Sequence, residues 1–331
     1  MVNLKNRHTL SLQASCNNLY EVENIQDLDS LDLDHQHYFV LGGGSNVAFV
    51  EDFDGDIVTF TNKQLSITEN DDSWLIETGA GVVWHDLVLQ VTQKGIGGLE
   101  NLALIPGNCG AAAVQNIGAY GVEFSALCKG VQTVNIKTKE IKELTNPECC
   151  FGYRNSIFKS TAGSDLLVTK ICLQLPKKWT AKLTYQGLDS LTTGATPLSV
   201  MNKVIEIRQS KLPDPAKLAN AGSFFKNPVV TAEVACVLKE RYPEMPTYHQ
   251  DKNGVKLSSG WLIEKAGFKG KKVDSIGTYE KHALVIVNYG QGSGQTLLRF
   301  VRDIKEQVRD LFSVTLENEV LLIGKNGVIN L

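Results

Sequence analysis

A chain of 331 residues is long enough to form two or three domains, each with its own hydrophobic core. Its 33 Lys and Arg residues against 36 Asp and Glu residues give a net charge of −3, without the basic excess that is typical of nucleic-acid binders. The N-terminus has no apolar signal-peptide core, and no stretch is long and apolar enough to cross a bilayer. We therefore expect no secretion signal, no membrane span and no nucleic-acid partner.

The cysteines are odd in number and scattered, and they lack the spacing of zinc ligands or of a C-x-x-C motif. This pattern is typical of a reducing cytosol, so we expect a cytoplasmic protein without a metal site. For Cys109 a reactive thiol and a small apolar filler are both open, and the filler is favoured because buried cysteine usually behaves as a hydrophobic residue. The cysteines are Cys16, Cys109, Cys128, Cys149, Cys150, Cys172 and Cys236.

Short β-branched or aromatic runs bounded by turn residues predict strands along the chain. The predicted strands are 38–42, 56–60, 74–79, 133–138, 166–175, 283–290 and 319–324. Apolar residues at helical spacing predict helices at 82–94, 199–211 and 295–312. Because strands and helices follow one another without a regular βαβ rhythm, the sequence favours an α+β fold over a doubly wound sheet.

The two long amphipathic helices have well-defined apolar faces. In the first helix, Gly95 follows as a C-terminal cap, and the face comprises Trp84, Leu87, Val88 and Val91. In the last helix, the face comprises Leu297, Val301, Ile304, Val308 and Leu311.

Two segments are candidate boundaries. KLPDP at 211–215 is the stronger, because its two prolines end a helix and stiffen a connector. The acidic, turn-rich TENDDS at 68–73 suggests a second break.

Residues 101–122 contain no charged side chain but are rich in Gly, Ala, Asn and Gln. A membrane span is excluded because Pro106, Asn108 and the glycines of this segment break helix and leave polar groups that lipid cannot satisfy. A buried core segment and a loop that lies close to a large ligand both remain open.

Four glycine-rich segments lie near predicted strand ends: LGGGSNV, GAGVVW, GIGGLENLALIPG and QNIGAYG. None is the dinucleotide fingerprint G-x-G-x-x-G, because Val47 and Trp84 stand where its third glycine belongs. Taken singly each is best interpreted as a tight turn. Taken together, their density favours a large flat ligand with a diphosphate, such as a flavin dinucleotide, held mainly by backbone groups.

Ten motifs spread over nearly the whole chain resemble the UDP-N-acetylenolpyruvoylglucosamine reductases, the MurB flavoenzymes of bacterial peptidoglycan precursor synthesis. In order they are LGGGSNV, GAGVVWHDLV, GLENLALIPG, QNIGAYGVE, FGYRNSIFK, KLPDP, NAGSFFKNP, KLSSGWLIEKAG, HALVIVN and LENEVLLIG. LTYQGL together with LPDP is similar to the type I branch, in which a tyrosine loop closes over the substrate. NCGAAA departs from the family because alanines replace hydroxyl residues, so Ala111–Ala113 are not assigned to the site.

The resemblance implies an α+β protein with a two-subdomain FAD-binding module of the vanillyl-alcohol-oxidase (PCMH) type and a C-terminal α+β substrate-binding domain. We expect FAD subdomain 1 at 1–65 with a returning C-terminal strand at 315–331, FAD subdomain 2 at 66–212 and the substrate domain at 213–314. The uncharged run 101–122 would then be the inner wall of the FAD site, binding through backbone N–H groups where its alanines stand.

The implied reaction has two halves: NADPH reduces FAD, and N5 of the reduced FAD then transfers hydride to the double bond of UDP-N-acetylglucosamine enolpyruvate. The adjacent carbon must be protonated, and Ser223 matches the family's proton donor. The developing enolate needs a cation or hydrogen-bond donors, and Arg154 and Glu319 match the residues that supply them. Glu319, expected to open the last strand, would assist only as an acid with a raised pKa. From local sequence alone, Arg154 is a packing residue, Glu319 a strand-edge charge and Ser223 a turn serine.

The remaining site residues are also carried over by motif. The implied FAD-binding residues are Gly42, Gly43, Gly44, Ser45, Asn46, Pro106, Gly107, Gly110, Gln115, Asn116, Ile117, Gly118 and Ala119. The implied substrate residues are Tyr185, Lys211, Asn227 and His282, although a lone histidine such as His282 is often a satisfied core residue. NADPH would use the same pocket, in a monomer of the bacterial cytoplasm. Two alternatives stay open: an FAD-dependent oxidase of the same fold class and a non-catalytic carrier of a nucleotide sugar or flavin.

Overall fold

The computed structural model describes residues 1–31, 37–191, 194–251 and 254–331, and for 249–251 it describes the backbone alone. The chain divides into two compact units. The first unit comprises Met1–Cys16, Gly44–Asp54 and Lys211–Leu331, and the second comprises Asn17–Gly43 and Gly55–Ser210.

The described residues form short strands and six α-helices. The strands are β1 (Val2–Asn3), β2 (Ser15–Cys16), β3 (Leu19–Val22), β4 (Tyr38–Val40), β5 (Val47–Phe49), β6 (Asp56–Phe60), β7 (Leu65–Glu69), β8 (Ser73–Gly79), β9 (Gly118–Ala119), β10 (Val122–Glu123), β11 (Cys128–Asn135), β12 (Ile141–Thr145), β13 (Leu166–Pro176), β14 (Ala219–Ser223), β15 (Val229–Val230), β16 (Thr247–Asp251), β17 (Gly254–Leu257), β18 (Lys272–Val273), β19 (Ile276–Tyr279), β20 (His282–Asn288), β21 (Leu321–Gly324) and β22 (Gly327–Ile329). The α-helices are α1 (Trp84–Gln93), α2 (Cys109–Gln115), α3 (Pro197–Lys211), α4 (Ala232–Arg241), α5 (Ser259–Lys265) and α6 (Gly294–Phe312).

An antiparallel sheet with strand order β12-β11-β13-β8-β7 frames the second unit. One face of this sheet is apolar because β-branched residues such as Ile76, Val131 and Ile171 alternate with polar ones, and these three side chains are fully buried. Helices α1 and α2 contribute to the same core. A smaller parallel sheet, β3-β6-β4, belongs to this unit as well.

The first unit is built around the sheet β14-β20-β19-β18 and the long helix α6. Helix α6 is strongly amphipathic, and its core face comprises Leu297, Phe300, Val301, Ile304, Val308 and Phe312. Two three-stranded sheets, β15-β17-β16 and β22-β21-β5, complete the unit. In the latter, β21 pairs in parallel with β5, so a strand near the C-terminus lies beside a segment from the first fifty residues.

The α+β class and the three helices are confirmed, with the predicted apolar faces buried apart from Leu311, which is only partly buried. The strand predicted at 133–138 is misplaced, since β11 ends at Asn135 and Lys137 and Thr138 belong to a turn. TENDDS forms a hairpin turn between β7 and β8, which pair in one sheet, so it does not separate two folding units. Position 66, where the FAD module was expected to divide, lies inside β7.

The chemistry of the cysteines agrees with the interpretation of Cys109 as a core residue. Cys109 is fully buried, and burial raises the pKa of its thiol to about 12, which keeps it protonated and unreactive. Among the described residues, no group of three or more His, Cys, Asp or Glu side chains is arranged to hold a metal ion. No described helix has the length and hydropathy that crossing a membrane would require.

Candidate active site

Two glycine-containing loops of the second unit touch each other. A Cβ atom on Gly43 would lie 2.8 Å from the Cα of Gly107, and one on Gly42 would lie 2.9 Å from the Oδ1 of Asn108. Such distances are too short for real Cβ atoms, so the contact requires glycine at both positions. The turn after β4 therefore brings the first glycine loop onto the loop that contains Pro106 and Gly107.

The amide groups at this contact suit an anion. Among the residues the structure describes, none accepts a hydrogen bond from the N–H of Gly42, Gly43 or Gly107. Backbone N–H groups clustered in this way form a concave donor site for phosphate oxygens. The residues present thus fit the diphosphate of a dinucleotide such as FAD.

Gly44 and Asn46 belong to the first unit, where they make contacts that stabilise the fold. Gly44 adopts φ +65°, and a Cβ on it would lie 2.0 Å from the backbone oxygen of Arg7. Its own oxygen accepts the N–H of Thr9. The Asn46 side chain donates to the backbone oxygen of Glu319 (3.1 Å), which fastens this loop to the segment before β21.

The middle of the uncharged run is α2, and its small residues are explained by packing within the protein. A Cβ on Gly110 would lie 2.7 Å from the Cβ of Ala80, so the helix could not approach β8 as closely with any larger residue. Ala112 and Ala113 are buried in the same core. The core interpretation is therefore confirmed for Cys109, Gly110, Ala112 and Ala113, whereas the position of Gly107 beside a large ligand stays a prediction.

The expected diphosphate binding by amides in this helix is wrong for its first turn. The N–H groups of Cys109 and Gly110 donate to Val82 and Ala80, and those of Ala111 and Ala112 donate to the side chain and backbone oxygens of Asn108. Asn108 is the N-cap of α2. Since the protein itself uses these donors, none of the four remains for a ligand.

The C-terminal end of the run supports a neighbouring loop. Asn116 is 1% exposed, ends α2 with φ +44°, and its side chain donates to Gly152 and accepts from the N–H of Ser125. Asn116 is thus fully committed to the protein and is not available as the polar FAD contact that was expected. Ile117, Gly118 and Ala119 follow it and are partly exposed.

Arg154 lies on this neighbouring loop. Its guanidinium donates to the backbone oxygen of Gly118 (2.7 Å) and packs over the ring of Tyr153. The loop is docked by two further bonds, from Ser156 to Val114 and from Lys159 to Gln115. The structure therefore brings Arg154, Gln115 and Gly118 together, three residues that the sequence assigned to substrate and FAD separately.

Left-handed backbone at residues other than glycine concentrates in this part of the second unit. Such conformations are uncommon and persist where the surrounding structure enforces them, which is typical of functional sites. The residues concerned are Leu104, Asn116, Tyr120, Cys150 and Arg154.

Glu319 is bonded in the first unit to the residue that follows Ser223. The N–H of Glu319 donates to the oxygen of Phe224, the residue after Ser223, at 2.8 Å. A bulge between Asn220 and Ser223, with Gly222 at φ +71°, leaves Ser223 exposed at the end of β14. Glu319 does not open the last strand as expected, because it lies in a bend and β21 begins at Leu321.

Tyr185 is paired with a second tyrosine. Its ring meets Tyr120 edge to face at 4.8 Å between centroids, and the side chain is 45% exposed. Burial raises the pKa of Tyr120, and the guanidinium of Arg208 opposes that rise through a hydrogen bond. Arg208 also donates to the backbone oxygen of Leu104 at 3.2 Å.

The substrate residues of the first unit differ in their surroundings. Burial lowers the pKa of His282, and the positive charges of Lys211 and Lys269 lower it further. The neutral ring accepts the N–H of Leu284 at Nδ1 (3.3 Å), which leaves Nε2 as the donor. The Asn227 oxygen accepts from the N–H and hydroxyl of Ser259, so this side chain holds the start of α5.

The sequence did not identify four residues of this region as candidates for the site. They are Asn108, Tyr120, Lys159 and Arg208. Each lies within or beside a quoted motif, but its role depends on partners far along the chain. Arg208, for example, meets Leu104 across 104 residues, a contact that no local spacing reveals.

Comparisons with known proteins place these residues in a family. Residues 214–323 match the C-terminal domain of UDP-N-acetylenolpyruvoylglucosamine reductase, and residues 29–145 match an FAD-binding domain. Those matches include Ser223 and Glu319 in the first case and the two glycine loops in the second.

Whole-chain relatives give the same result. The UDP-N-acetylenolpyruvoylglucosamine reductases of Pseudoalteromonas atlantica and Yersinia pestis are each 40% identical, with 98% and 99% of this chain and 94% and 96% of the relative covered. That of Shewanella oneidensis is 41% identical over 99% of this chain and 98% of its own. The crystal structure of the enzyme from Thermus caldophilus superposes with a TM-score of 0.70 at 25% identity, covering 97% of both chains. The chain belongs to the UDP-N-acetylenolpyruvoylglucosamine reductase family.

Proposed function

We propose that this chain is an FAD- and NADPH-dependent reductase that converts UDP-N-acetylglucosamine enolpyruvate to UDP-N-acetylmuramate in peptidoglycan precursor synthesis. The observation that carries the proposal is the match of about 40% identity over nearly the whole chain to relatives that bear this enzyme's name. The match extends over the glycine loops, the Arg154 loop and the Ser223–Glu319 pair alike. The reaction would take place in the bacterial cytoplasm, in a monomer.

FAD would be held in the second unit, with the N–H groups of Gly42, Gly43 and Gly107 on its diphosphate. When bound, it supplies hydride transfer from NADPH to the enolpyruvyl group. Among the remaining implied contacts, Pro106 belongs to the second of these loops, Gly110 and Gln115 to α2, and Ile117, Gly118 and Ala119 to the segment after α2. This assignment is supported by the unused donors at the loop contact.

Protonation and charge stabilisation would come from the chain's own side chains. Ser223 would donate its hydroxyl proton to the carbon beside the one that receives hydride, and its exposure at the end of β14 supports that role. Arg154 would bind the substrate carboxylate, and Glu319 would donate to the same group in its protonated form. The backbone bond that fixes Glu319 beside Phe224 supports their acting on one reacting centre with Ser223.

The substrate diphosphate would be met by Lys211, the Nε2 donor of neutral His282 and the hydroxyl of Tyr185, and NADPH would occupy the same pocket before it. Asn227 would act mainly by holding α5, since its oxygen is bonded to Ser259.

We further propose that the chain is divided into FAD subdomain 1 (1–65 with 315–331), FAD subdomain 2 (66–212) and the substrate domain (213–314). The parallel pairing of β21 with β5 supports the returning strand of that scheme.

Anaerobic absorption spectra of the purified protein test the proposal. We expect a yellow protein that is bleached by NADPH and regains its colour on addition of UDP-N-acetylglucosamine enolpyruvate. Rapid recolouring by oxygen alone would favour an oxidase instead. A protein without flavin, or one whose flavin NADPH does not reduce, would contradict the proposal and favour a carrier.

A further inference from the structure

Lys159 makes two hydrogen bonds that join the Arg154 loop to the end of α2. Its ammonium donates to the backbone oxygen of Arg154 (2.9 Å) and to the side-chain oxygen of Gln115. Both acceptors belong to residues assigned above to the substrate carboxylate and to FAD. Lys159 itself has neither assignment, although it ends the motif FGYRNSIFK.

The conformation of Arg154 explains why its carbonyl needs a strong partner. Arg154 adopts φ +52°, a left-handed conformation that is unfavourable for a residue with a Cβ. A charge-assisted hydrogen bond to the carbonyl of the same residue offsets part of this cost. The N–H of Asn155, in the same peptide, donates to the oxygen of Gly152 at 3.1 Å, so Lys159 holds the carbonyl end of a peptide whose N–H end is bonded within the turn.

Other bonds attach the loop at different atoms. Ser156 donates to Val114 and Gly152 accepts from Asn116, so the loop is attached on either side of Arg154 along the chain. They fix where the loop lies but do not touch the backbone of Arg154. The bond from the guanidinium to the oxygen of Gly118 fixes the end of the Arg154 side chain. The bond from Lys159 fixes the backbone oxygen of Arg154.

We propose that Lys159 is a positioning residue for the reduction of the enolpyruvyl group: it holds Arg154 in its left-handed conformation and couples that conformation to Gln115 at the FAD-binding segment. The proposal rests on the proposed function, because it takes Arg154 to bind the substrate carboxylate. Lys159 does not touch the substrate in this role. It acts by keeping the Arg154 guanidinium aligned as charge develops on the carboxylate.

The test is Lys159→Met in the FAD-loaded protein, with the two half-reactions followed separately by anaerobic stopped-flow absorbance. Because a displacement of about 1 Å in a positioned group can cost up to about 100-fold, we expect flavin reoxidation by the enolpyruvyl substrate to slow about 10- to 100-fold, with flavin reduction by NADPH changed less than about threefold. Lys159→Arg, which keeps the charge and two donors, should recover most of the lost rate. Equal slowing of both half-reactions would overturn the proposal.

Lys139→Met is the matched control, since Lys139 is also partly buried in the second unit and donates to a backbone oxygen, that of Leu28, at 2.9 Å. It should leave both half-reactions unchanged. If Lys159→Met does not fold, Lys159→Gln provides the same comparison, because its single amide cannot serve both acceptors, and a wild-type reoxidation rate in that variant would contradict the proposal.

A double-variant comparison separates positioning from plain stabilisation. In an Arg154→Ala background, adding Lys159→Met should slow reoxidation less than about twofold further, since the two residues act through one group. If Lys159→Met slows reoxidation as much in this background as in the wild-type protein, the result would contradict the positioning role. A wild-type protein that does not reoxidise with the substrate would instead overturn the proposed function, so the two failures are distinguishable.

Discussion

At the scale of single residues, the site depends on side chains whose backbone is held by others. Ser223 is turned outward by a bulge at Gly222, and Asn220 accepts the Gly222 N–H that shapes the bulge. The backbone of Glu319 is fixed by the hydrogen bond from its N–H to the oxygen of Phe224. The chemistry of each residue is therefore separable from the architecture that presents it, and single substitutions can test it.

Ser223→Ala removes the hydroxyl proposed as the proton donor without disturbing the bulge. We expect flavin reduction by NADPH to continue while reoxidation by the enolpyruvyl substrate falls by about 100-fold or more, in the range that a positioned acid contributes. Stopped-flow absorbance under anaerobic conditions measures both steps. Ser164→Ala, at an exposed turn that bonds only Thr161, serves as the control. Unchanged reoxidation in Ser223→Ala would show that another group supplies the proton.

At the scale of elements, the loop contact between Gly43 and Gly107 is sensitive to added volume. Gly43→Ala places a Cβ where backbone stands 2.8 Å away, so the two loops must separate. Overpacking of this kind costs about 1–3 kcal/mol, and we expect flavin affinity to fall about tenfold or more while the fold is retained. Flavin fluorescence titration measures the dissociation constant.

Gly260→Ala is the matched control for that titration. A Cβ at Gly260 would lie 3.5 Å from Leu284, an ordinary contact, and the position is helical. Affinity should therefore stay at the wild-type value. If Gly43→Ala binds flavin equally well, the two-loop donor site does not hold the diphosphate.

The elements also indicate how far sequence reasoning extends. Helices α1 and α6 were predictable because their apolar faces repeat at a fixed spacing, which is a local property. The strand at 133–138 was misplaced because β11 begins with Cys128, Lys129 and Gly130, which carry little strand propensity and pair only through their partner strands.

The residues of the candidate site also differ in whether the sequence alone could identify them. The motifs identified Arg154, Ser223 and Glu319 through family resemblance, since residue type and order are visible in one sequence. Lys159 and Arg208 were not identified because their function depends on which carbonyl lies beside them. The commitment of Asn116 to Gly152 was likewise hidden, since it depends on a partner 36 residues away.

At the scale of the whole molecule, buried histidines link stability to pH. Burial lowers the pKa of His8 from its ordinary 6.5, with hydrogen bonds to the oxygens of Leu12 and Val47 opposing part of the effect. The folded state then holds fewer protons than the unfolded state below that value. Its contribution to stability is fully present above pH 6.5 and declines as the pH falls toward the lowered pKa.

We expect the free energy of unfolding to fall between pH 7 and pH 5, with His8 contributing at most about 1.4 kcal/mol per pH unit. Urea unfolding at a series of pH values measures it. His8→Gln should flatten the dependence, whereas His37→Gln, at an exposed position, should not. An equally steep dependence in His8→Gln would rule out His8 as a source of the acid sensitivity.

The parallel pairing of β21 with β5 has a consequence for folding during synthesis on the ribosome. The first unit is assembled from both ends of the chain, while the second unit is nested between them as nearly continuous sequence. A nascent chain can therefore complete the second unit before Leu321, the partner strand residue of Val47, has been synthesised. Glu319 lies in the same late segment as Leu321. A nascent chain that has not reached Glu319 would thus carry the glycine loops without the acid proposed to act on the substrate.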